Sequence, residues 1–185
     1  KRDRSPNELL FQFKKRAIVF FAVDTQEVYM TTKLEGNKTF FLPFNKGCNG
    51  GKGNPDNPNG FKTAYLWEEI LQKDSLMDIL KRFVFIETKE KKDIDGNIYI
   101  SENIIFPRYH QLDVVRKLEA DVKEKGVGTN YLVQHSAGSG KTYSISWLAH
   151  RLANLHDDND NPIFDSVIVI TDRRVLDKQL QDSIY

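Results

Sequence analysis

The chain has little of several residue types, and each shortage excludes a class of protein. It contains one cysteine, Cys48, among 185 residues, which excludes an intrachain disulfide and a thiolate metal cluster. Four histidines are present, and they lack the paired spacing of a zinc site. No apolar run approaches the roughly 20 residues that cross a bilayer, and no signal-peptide core follows residues 1–6. We therefore expect a cytoplasmic protein.

An excess of charge of one sign is also missing. The 27 basic and 26 acidic residues leave a net charge of +1, so composition alone does not predict a nucleic-acid-binding protein. Local basic clusters occur at 14–16, at 89–92 and at Arg173 and Arg174. Taken alone, each cluster fits a solvated surface better than a binding site.

The first part of the chain has the pattern of a small β-rich domain. Residues 16–23 are almost continuously apolar, residues 27–34 alternate, and residues 39–43 form a third apolar stretch. The short turns between them predict antiparallel hairpins. Residues 44–61 are dense in Gly, Asn and Pro, which predicts a long surface loop that is functional or disordered.

Helical patterns follow this loop. We predict helices over 63–73 and 76–82, the second opened by Ser75 and Asp78 in a capping-box arrangement. A strand is predicted at 84–87, and the charged turn at 90–97 is the expected boundary between domains 1–95 and 96–185.

The remaining residues have the pattern of a parallel α/β sheet. Helices alternate with short apolar strands, and parallel strands require crossover helices. In chain order we predict a helix at 107–125, a strand at 131–134, a glycine loop at 135–142, a helix at 142–155, a strand at 166–171 and a helix at 173–182.

The glycine loop carries the strongest chemical signal. Gly138 and Gly140 let the backbone approach a phosphate, and successive amides with the following helix N-terminus form an anion cradle. Lys141 would reach the β and γ phosphates of ATP, and Thr142 would offer its hydroxyl to Mg²⁺. His135 replaces the first glycine of the strict P-loop pattern, and we interpret it as a loop-packing residue. The predicted ATP-binding residues of the loop are Ser136, Ala137, Gly138, Ser139, Gly140, Lys141 and Thr142.

This loop resembles that of superfamily 2 helicases and translocases, and two further segments support the resemblance. Gln111 lies in a segment similar to the one in which a glutamine reads the adenine edge, using its amide as donor and acceptor. The apolar run 167–170 resembles the strand before motif Ia. The resemblance predicts DNA-phosphate contacts from Thr171, Arg173 and Arg174, while Asp172 is better explained as a helix N-cap.

Over nearly the whole chain, the sequence resembles that of the restriction and motor subunit of type I restriction-modification enzymes. The segments that carry this resemblance are AVD at 22–24, VYMTT at 28–32, FLPFN at 41–45, YLWEE at 65–69, FPRYHQ at 106–111, QHSAGSGKT at 134–142, WLAHRL at 147–152 and TDRRVLD at 171–177.

The resemblance implies the tail of a PD-(D/E)xK nuclease domain, of α+β type, followed by the first part of a RecA-like parallel α/β motor domain. It implies ATP-dependent translocation on double-stranded DNA coupled to cleavage of foreign DNA, in complex with methyltransferase and specificity subunits. The family's acidic motif and second motor domain are not in the sequence, so we expect negligible hydrolysis by this chain alone.

No catalytic residue is predicted within the chain. Asp24 with Glu87 and Lys89 superficially resembles a nuclease metal site, but in the family the catalytic carboxylates precede the region that matches 9–23, before Lys1. Two alternatives stay open: another superfamily 2 DNA helicase, sharing only the P-loop half, or a non-catalytic assembly module that uses the loop at 47–59. We also expect an incomplete motor sheet with exposed apolar edges.

Overall fold

The computed structural model describes Ser5 and residues 7–171, and the chain divides into two compact units, Lys1–Tyr109 and His110–Tyr185. The described residues form a mixed α/β structure of small sheets and helices. Among them, no helix combines the length and apolarity that crossing a membrane requires.

The first unit begins with a three-stranded antiparallel sheet. Its strands are β1 (Phe20–Val23), β2 (Val28–Thr31) and β3 (Leu42–Pro43), in that spatial order. The turn between β1 and β2 is closed by Asp24, whose Oδ1 accepts the amides of Gln26 at 2.7 Å and Glu27 at 2.8 Å. These hydrogen bonds, that from Glu27 first, lower the pKa of the Asp24 carboxyl. The predicted antiparallel strands are confirmed.

An aromatic cluster forms the core of this unit. The Phe44 side chain is completely buried, and its ring centroid lies 5.3 Å from that of Phe21 and 6.0 Å from that of Tyr109. The Tyr65 hydroxyl donates to the Phe44 carbonyl oxygen at 2.7 Å, which satisfies its only donor within the apolar surroundings. Burial is the main reason that the pKa of Tyr65 is raised.

The long loop predicted at 44–61 contains neither helix nor strand, and a buried asparagine fixes it in place. Asn54 is 6% exposed; its Nδ2 donates to the Gln26 carbonyl and the Asn45 side chain, both at 2.9 Å. Its Oδ1 accepts the Lys46 amide at 2.8 Å. Together with backbone hydrogen bonds inside the loop, such as that from the Gly47 amide to the Gly53 carbonyl at 2.8 Å, these contacts satisfy polar groups that lie outside any strand.

The helical region after the loop differs from the prediction. A π-helical turn covers Leu66–Ile70 and an α-helix, α1, covers Lys73–Arg82. The N-cap of α1 is Gln72, so Ser75 lies within the first turn and the predicted capping box is wrong. The π turn closes with a hydrogen bond from the Leu71 amide to the Leu66 carbonyl at 2.8 Å, which places Leu66 and Ile70 together in the buried layer.

A long β-hairpin completes the first unit. Strands β4 (Phe85–Lys92) and β5 (Ile98–Ile105) pair antiparallel from Phe85 opposite Ile105 to Lys92 opposite Ile98. The sequence predicted only the start of β4 and missed β5, because the hairpin is largely exposed and lacks an apolar alternation. The charged residues at 93–97, where we predicted a domain boundary, form its turn, and the division into units falls later in the chain.

Two helices dominate the second part of the chain, as predicted. They are α2 (Tyr109–Lys125) and α3 (Lys141–Ala153), and Leu112, Val115 and Trp147 on them are buried. The two helices are joined by a largely buried ion pair between Glu119 and Arg151.

The predicted parallel sheet is not formed within the described residues. Residues 131–134 and 166–171 are not strands there: Leu132 is 94% exposed and Ile170 is 89% exposed. A strand needs a hydrogen-bonded neighbour, and the paired strands in the described part of the chain are all antiparallel and lie in the first unit. The second unit has an isolated antiparallel bridge between His156 and Pro162. The predicted helix at 173–182 lies outside the described residues.

Candidate nucleotide-binding site

The loop before α3 has the backbone conformation that its glycines allow. Gly138 has φ +72° and Gly140 has φ +77°, both in the left-handed region that residues with a Cβ rarely adopt. Gly140 is the N-cap of α3, and its carbonyl oxygen accepts the Tyr143 amide at 3.1 Å. Ser139 also donates its amide to the Ser136 carbonyl at 3.3 Å, which closes a tight turn. The predicted succession of glycine loop and helix is therefore confirmed.

Several amides of this loop are available to a ligand. Within the described part of the chain, the backbone N–H groups of Gly138, Gly140, Lys141 and Thr142 make no hydrogen bond. The last two belong to the first turn of α3, where amides lack intrahelical acceptors. The helix dipole adds positive potential at the same place, so an anionic group is favoured there.

The Lys141 ammonium group lies against the start of the loop. Its Nζ donates to the carbonyl oxygens of His135 at 3.1 Å and Ser136 at 2.8 Å. The side chain therefore folds back across the turn, and the residue remains exposed. Both acceptors are neutral carbonyl oxygens, so they do not compensate the positive charge of Lys141. An anion bound in the loop would therefore form a strong, charge-assisted hydrogen bond with the ammonium group.

Thr142 follows Lys141 in the first turn of α3 and is half-buried. Its hydroxyl makes no hydrogen bond among the described residues, which leaves an oxygen ligand available beside the amides. This arrangement fits Mg²⁺, which prefers oxygen ligands and usually shares them with substrate phosphates.

The Gln111 side chain contacts the loop directly. Gln111 is 3% exposed, and its Nε2 donates to the carbonyl oxygens of Ser139 at 3.2 Å and Gly140 at 2.9 Å. The amide nitrogen that we predicted to read adenine is therefore directed at the backbone of the loop.

His110 is a site residue that the sequence analysis missed. Its Nε2 lies 2.9 Å from the same Ser139 carbonyl oxygen, and its ring packs edge-on against His135 with centroids 4.9 Å apart. The only signal in the sequence was its position beside Gln111. A pattern could not reveal that both side chains reach one carbonyl almost thirty residues away.

His135 packs within the loop region, as expected for the residue that replaces the first glycine. Burial lowers its pKa, the Lys141 charge lowers it further, and Asp113 acts in the opposite direction. Its Nδ1 and the hydroxyls of Ser139 and Ser144 are buried without a hydrogen-bond partner in the described structure. The loop and the first turn of α3 therefore contain buried polar atoms that no described protein group satisfies.

The other candidate residues are not gathered into this site. Thr171 is half-buried at the end of the described chain, and Arg173 and Arg174 lie outside the described residues, as does Asp172. Asp24 closes its own turn, and Glu87 pairs with Lys89 at 2.8 Å on β4. Among the described residues, no three His, Cys, Asp or Glu side chains are grouped for metal binding.

Comparison with known proteins shows what the sequence of this region is similar to. Residues 110–185 match the family model described as SWI2/SNF2 ATPase, and this match covers α2, the glycine loop and α3. The chain is also 30% identical, over 149 residues, to a Methanocaldococcus jannaschii protein whose name assigns it to the endonuclease subunits of type I restriction enzymes. That alignment covers 71% of the chain and 13% of the relative. No solved structure matches the chain significantly.

These matches confirm the resemblance found in the residues, to a helicase-like ATPase and to a restriction endonuclease subunit. The family match covers less than half of the chain, and the chain spans only a small part of its relative's length.

Proposed function

We propose that the chain binds ATP with Mg²⁺ in the loop at 136–142 and is part of the restriction subunit of a type I restriction enzyme. In this proposal the parent protein couples ATP-dependent translocation on double-stranded DNA to DNA cleavage, in defence against foreign DNA. Its partners are the methyltransferase and specificity subunits. The first unit corresponds to the tail of a nuclease domain and the second to the start of a RecA-like motor domain.

One observation carries the ATP-binding part of this proposal. The amides of Gly140, Lys141 and Thr142 make no hydrogen bond among the described residues, and the Lys141 ammonium group lies in the same loop, against the carbonyl oxygens of His135 and Ser136. Backbone amides, a helix N-terminus and one cation together bind a polyphosphate through its oxygens, irrespective of the base. Ser136, Ala137, Gly138 and Ser139 complete the turn, and Thr142 supplies the metal ligand.

The extent of the sequence match favours a restriction subunit over another superfamily 2 helicase. An alignment over 71% of the chain is longer than residues 110–185, so it includes part of the first unit. A helicase that shared only the motor segment would give no such match. A nuclease tail in the first unit is therefore the better assignment for residues before the motor.

The alternative of a non-catalytic assembly module makes an opposite prediction about nucleotide. The loop at 47–59 would supply the contact surface, and residues 136–142 would have no affinity for ATP. The ordered anchoring of Asn54 is compatible with either function, so nucleotide binding decides between them.

The test is ATP binding by the 185-residue chain, measured by isothermal titration calorimetry with and without Mg²⁺. We expect Lys141→Ala to weaken binding by at least about tenfold, because it removes a charge-assisted hydrogen bond. Lys123→Ala is the matched control, since Lys123 is exposed near the C-terminal end of α2 and pairs with the exposed Asp158. Equal affinities of the wild type and Lys141→Ala would refute the proposed site.

A further inference from the structure

The glycine loop is held from outside by the first residues of α2. The Ser139 carbonyl oxygen is contacted by both His110 Nε2, at 2.9 Å, and Gln111 Nε2, at 3.2 Å. The next carbonyl, that of Gly140, accepts Gln111 Nε2 at 2.9 Å. Because a carbonyl oxygen only accepts, the His110 contact requires the proton on Nε2. Two consecutive peptide groups are thus fixed by two neighbouring side chains.

Fixing a carbonyl also fixes the amide on the other side of the same peptide group. A trans peptide is planar, and its C=O and N–H point in opposite directions; the described residues contain no cis peptide. With the Ser139 carbonyl directed at His110 and Gln111, the Gly140 N–H points away from them. The Gly140 carbonyl orients the Lys141 N–H in the same way. These are two of the unpaired amides that form the proposed phosphate cradle.

These side-chain contacts add to the hydrogen bonds that the loop makes itself, from the Ser139 amide to the Ser136 carbonyl and from the Tyr143 amide to the Gly140 carbonyl. Gly138 and Gly140 both have positive φ and no Cβ, so their peptide groups can rotate at little steric cost. A rotated peptide would present a carbonyl oxygen to the phosphate in place of an N–H, which converts attraction into repulsion. A Cβ on Gly140 would also collide with the Gln111 amide. The contact between Gln111 and the loop therefore requires glycine at position 140.

We propose that His110 and Gln111 are positioning residues that hold the Ser139 and Gly140 peptide groups in the orientation that binds phosphate. This inference rests on the proposed ATP site and deepens it. It assigns a role to His110 and adds a role for Gln111 at the loop itself, where its amide nitrogen donates to the Ser139 and Gly140 carbonyl oxygens. We call His110 and Gln111 together the clamp. The contacts of the clamp with the loop contribute to affinity for polyphosphate in general, and these contacts do not discriminate between adenine and guanine nucleotides.

The experiment compares three ligands, ATP, GTP and inorganic tripolyphosphate, by calorimetry on the 185-residue chain. His110→Phe keeps an aromatic ring but removes the hydrogen-bond donor. We expect it to weaken the binding of all three ligands by a similar factor of about tenfold, which is the effect of removing one hydrogen bond. His110→Gln keeps an N–H donor at a similar reach and should restore affinity to within about twofold, well below that effect. Gln111→Ala should weaken the binding of tripolyphosphate as much as that of ATP, and it should leave the ratio of the ATP and GTP affinities unchanged.

Matched controls separate positioning from a general loss of structure. His150→Phe makes the same change at an exposed position of α3 and should bind like the wild type. Circular dichroism reports whether each variant folds. If His110→Phe does not fold, His110→Gln and the shorter His110→Asn provide the comparison, because only the glutamine reaches the Ser139 carbonyl.

The outcomes distinguish this inference from the ATP site itself. If Lys141→Ala loses ATP while His110→Phe binds all three ligands normally, the clamp is wrong and the ATP site stands. A loss confined to ATP, with GTP and tripolyphosphate unaffected, would also overturn the clamp and return Gln111 to base recognition. If the wild type binds none of the ligands, the proposed site and the clamp are both wrong.

Discussion

Arg151 of α3 donates from Nε to Oε2 of Glu119 on α2 at 2.7 Å, and the two side chains are only 8% and 15% exposed. The second guanidinium hydrogen bond, from Nη2, reaches the same carboxylate oxygen. This pair joins the helix that carries the clamp residues to the helix that begins at the glycine loop. Both residues lie outside the loop, so the pair is a structural element of the second unit.

Removal of one partner of this pair should destabilise the second unit strongly. Glu119→Gln removes the charged acceptor of two Arg151 hydrogen bonds in a largely buried place, and we expect a loss of about 3 kcal/mol in the free energy of unfolding. Urea unfolding followed by Trp147 fluorescence in a Trp67→Phe background measures it, because Trp147 is buried on α3. Asp158→Asn, which breaks the exposed pair with Lys123, should change stability by less than about 1 kcal/mol. Equal effects of the two variants would contradict the burial of Arg151.

Substitution of Gly140 should be costly for two separable reasons. Gly140→Ala places a Cβ at positive φ, which costs about 1–2 kcal/mol, and also against the Gln111 amide. In a Gln111→Ala background the second cost disappears, so the loss of unfolding free energy caused by Gly140→Ala should be smaller there. Gly138→Ala is the control, because Gly138 also has a positive φ but no atom lies within 4 Å of the added Cβ. Its cost should be the same in both backgrounds.

The His135 imidazole should titrate at lower pH than an ordinary histidine, and its pKa should respond to the loop. Its pKa is lowered from 6.5 by burial and then by the Lys141 charge. Lys141→Ala should therefore raise the pKa, as should a bound polyphosphate, which NMR titration of the histidine ring protons can follow. A His135 pKa that stays constant in Lys141→Ala would show that the ammonium group lies elsewhere in solution.

The direction of the same shift also fixes a pH dependence of stability. Above pH 6.5 His135 is neutral in both the folded and the unfolded chain, so it has no effect. As pH falls below 6.5, the unfolded chain binds a proton that the folded chain resists, and stability decreases until the folded-state pKa is passed. His135→Gln should flatten this part of the stability profile, which urea unfolding at several pH values measures.

DNA binding, if it uses Thr171, Arg173 and Arg174 as the sequence predicts, should depend on salt. Removal of both charges by Arg173→Gln and Arg174→Gln should reduce the slope of log affinity against log salt by about 0.9 for each phosphate that is no longer neutralised. Fluorescence anisotropy with a labelled duplex at several salt concentrations measures the slope. A matched double variant on α2, Lys117→Gln with Lys123→Gln, should leave it unchanged. An unaltered slope in the arginine variant would exclude this segment from the DNA interface.

Local patterns in the sequence were sufficient for most of the elements. The three antiparallel strands, helices α2 and α3 and the loop between them follow from apolar periodicity and from glycines at fixed spacing. Ser75 and Asp78 show the limit of this reasoning, because the capping pattern is present while the helix starts earlier, at Lys73. The strands predicted at 131–134 and 166–171 fail for a related reason. An apolar run can pair only where a neighbouring strand is available.

The chemistry of the glycine loop can be read from one continuous stretch of residues: Gly138 and Gly140 allow positive φ, Lys141 supplies a cation and Thr142 supplies a hydroxyl. What restrains that loop is visible only in the folded chain. His110 and Gln111 reach the Ser139 and Gly140 carbonyls across 28 to 29 positions of sequence, and Asn54 anchors a loop to Gln26 across 28. Hydrogen bonds between distant residues depend on how the chain folds back, and no local pattern encodes that distance.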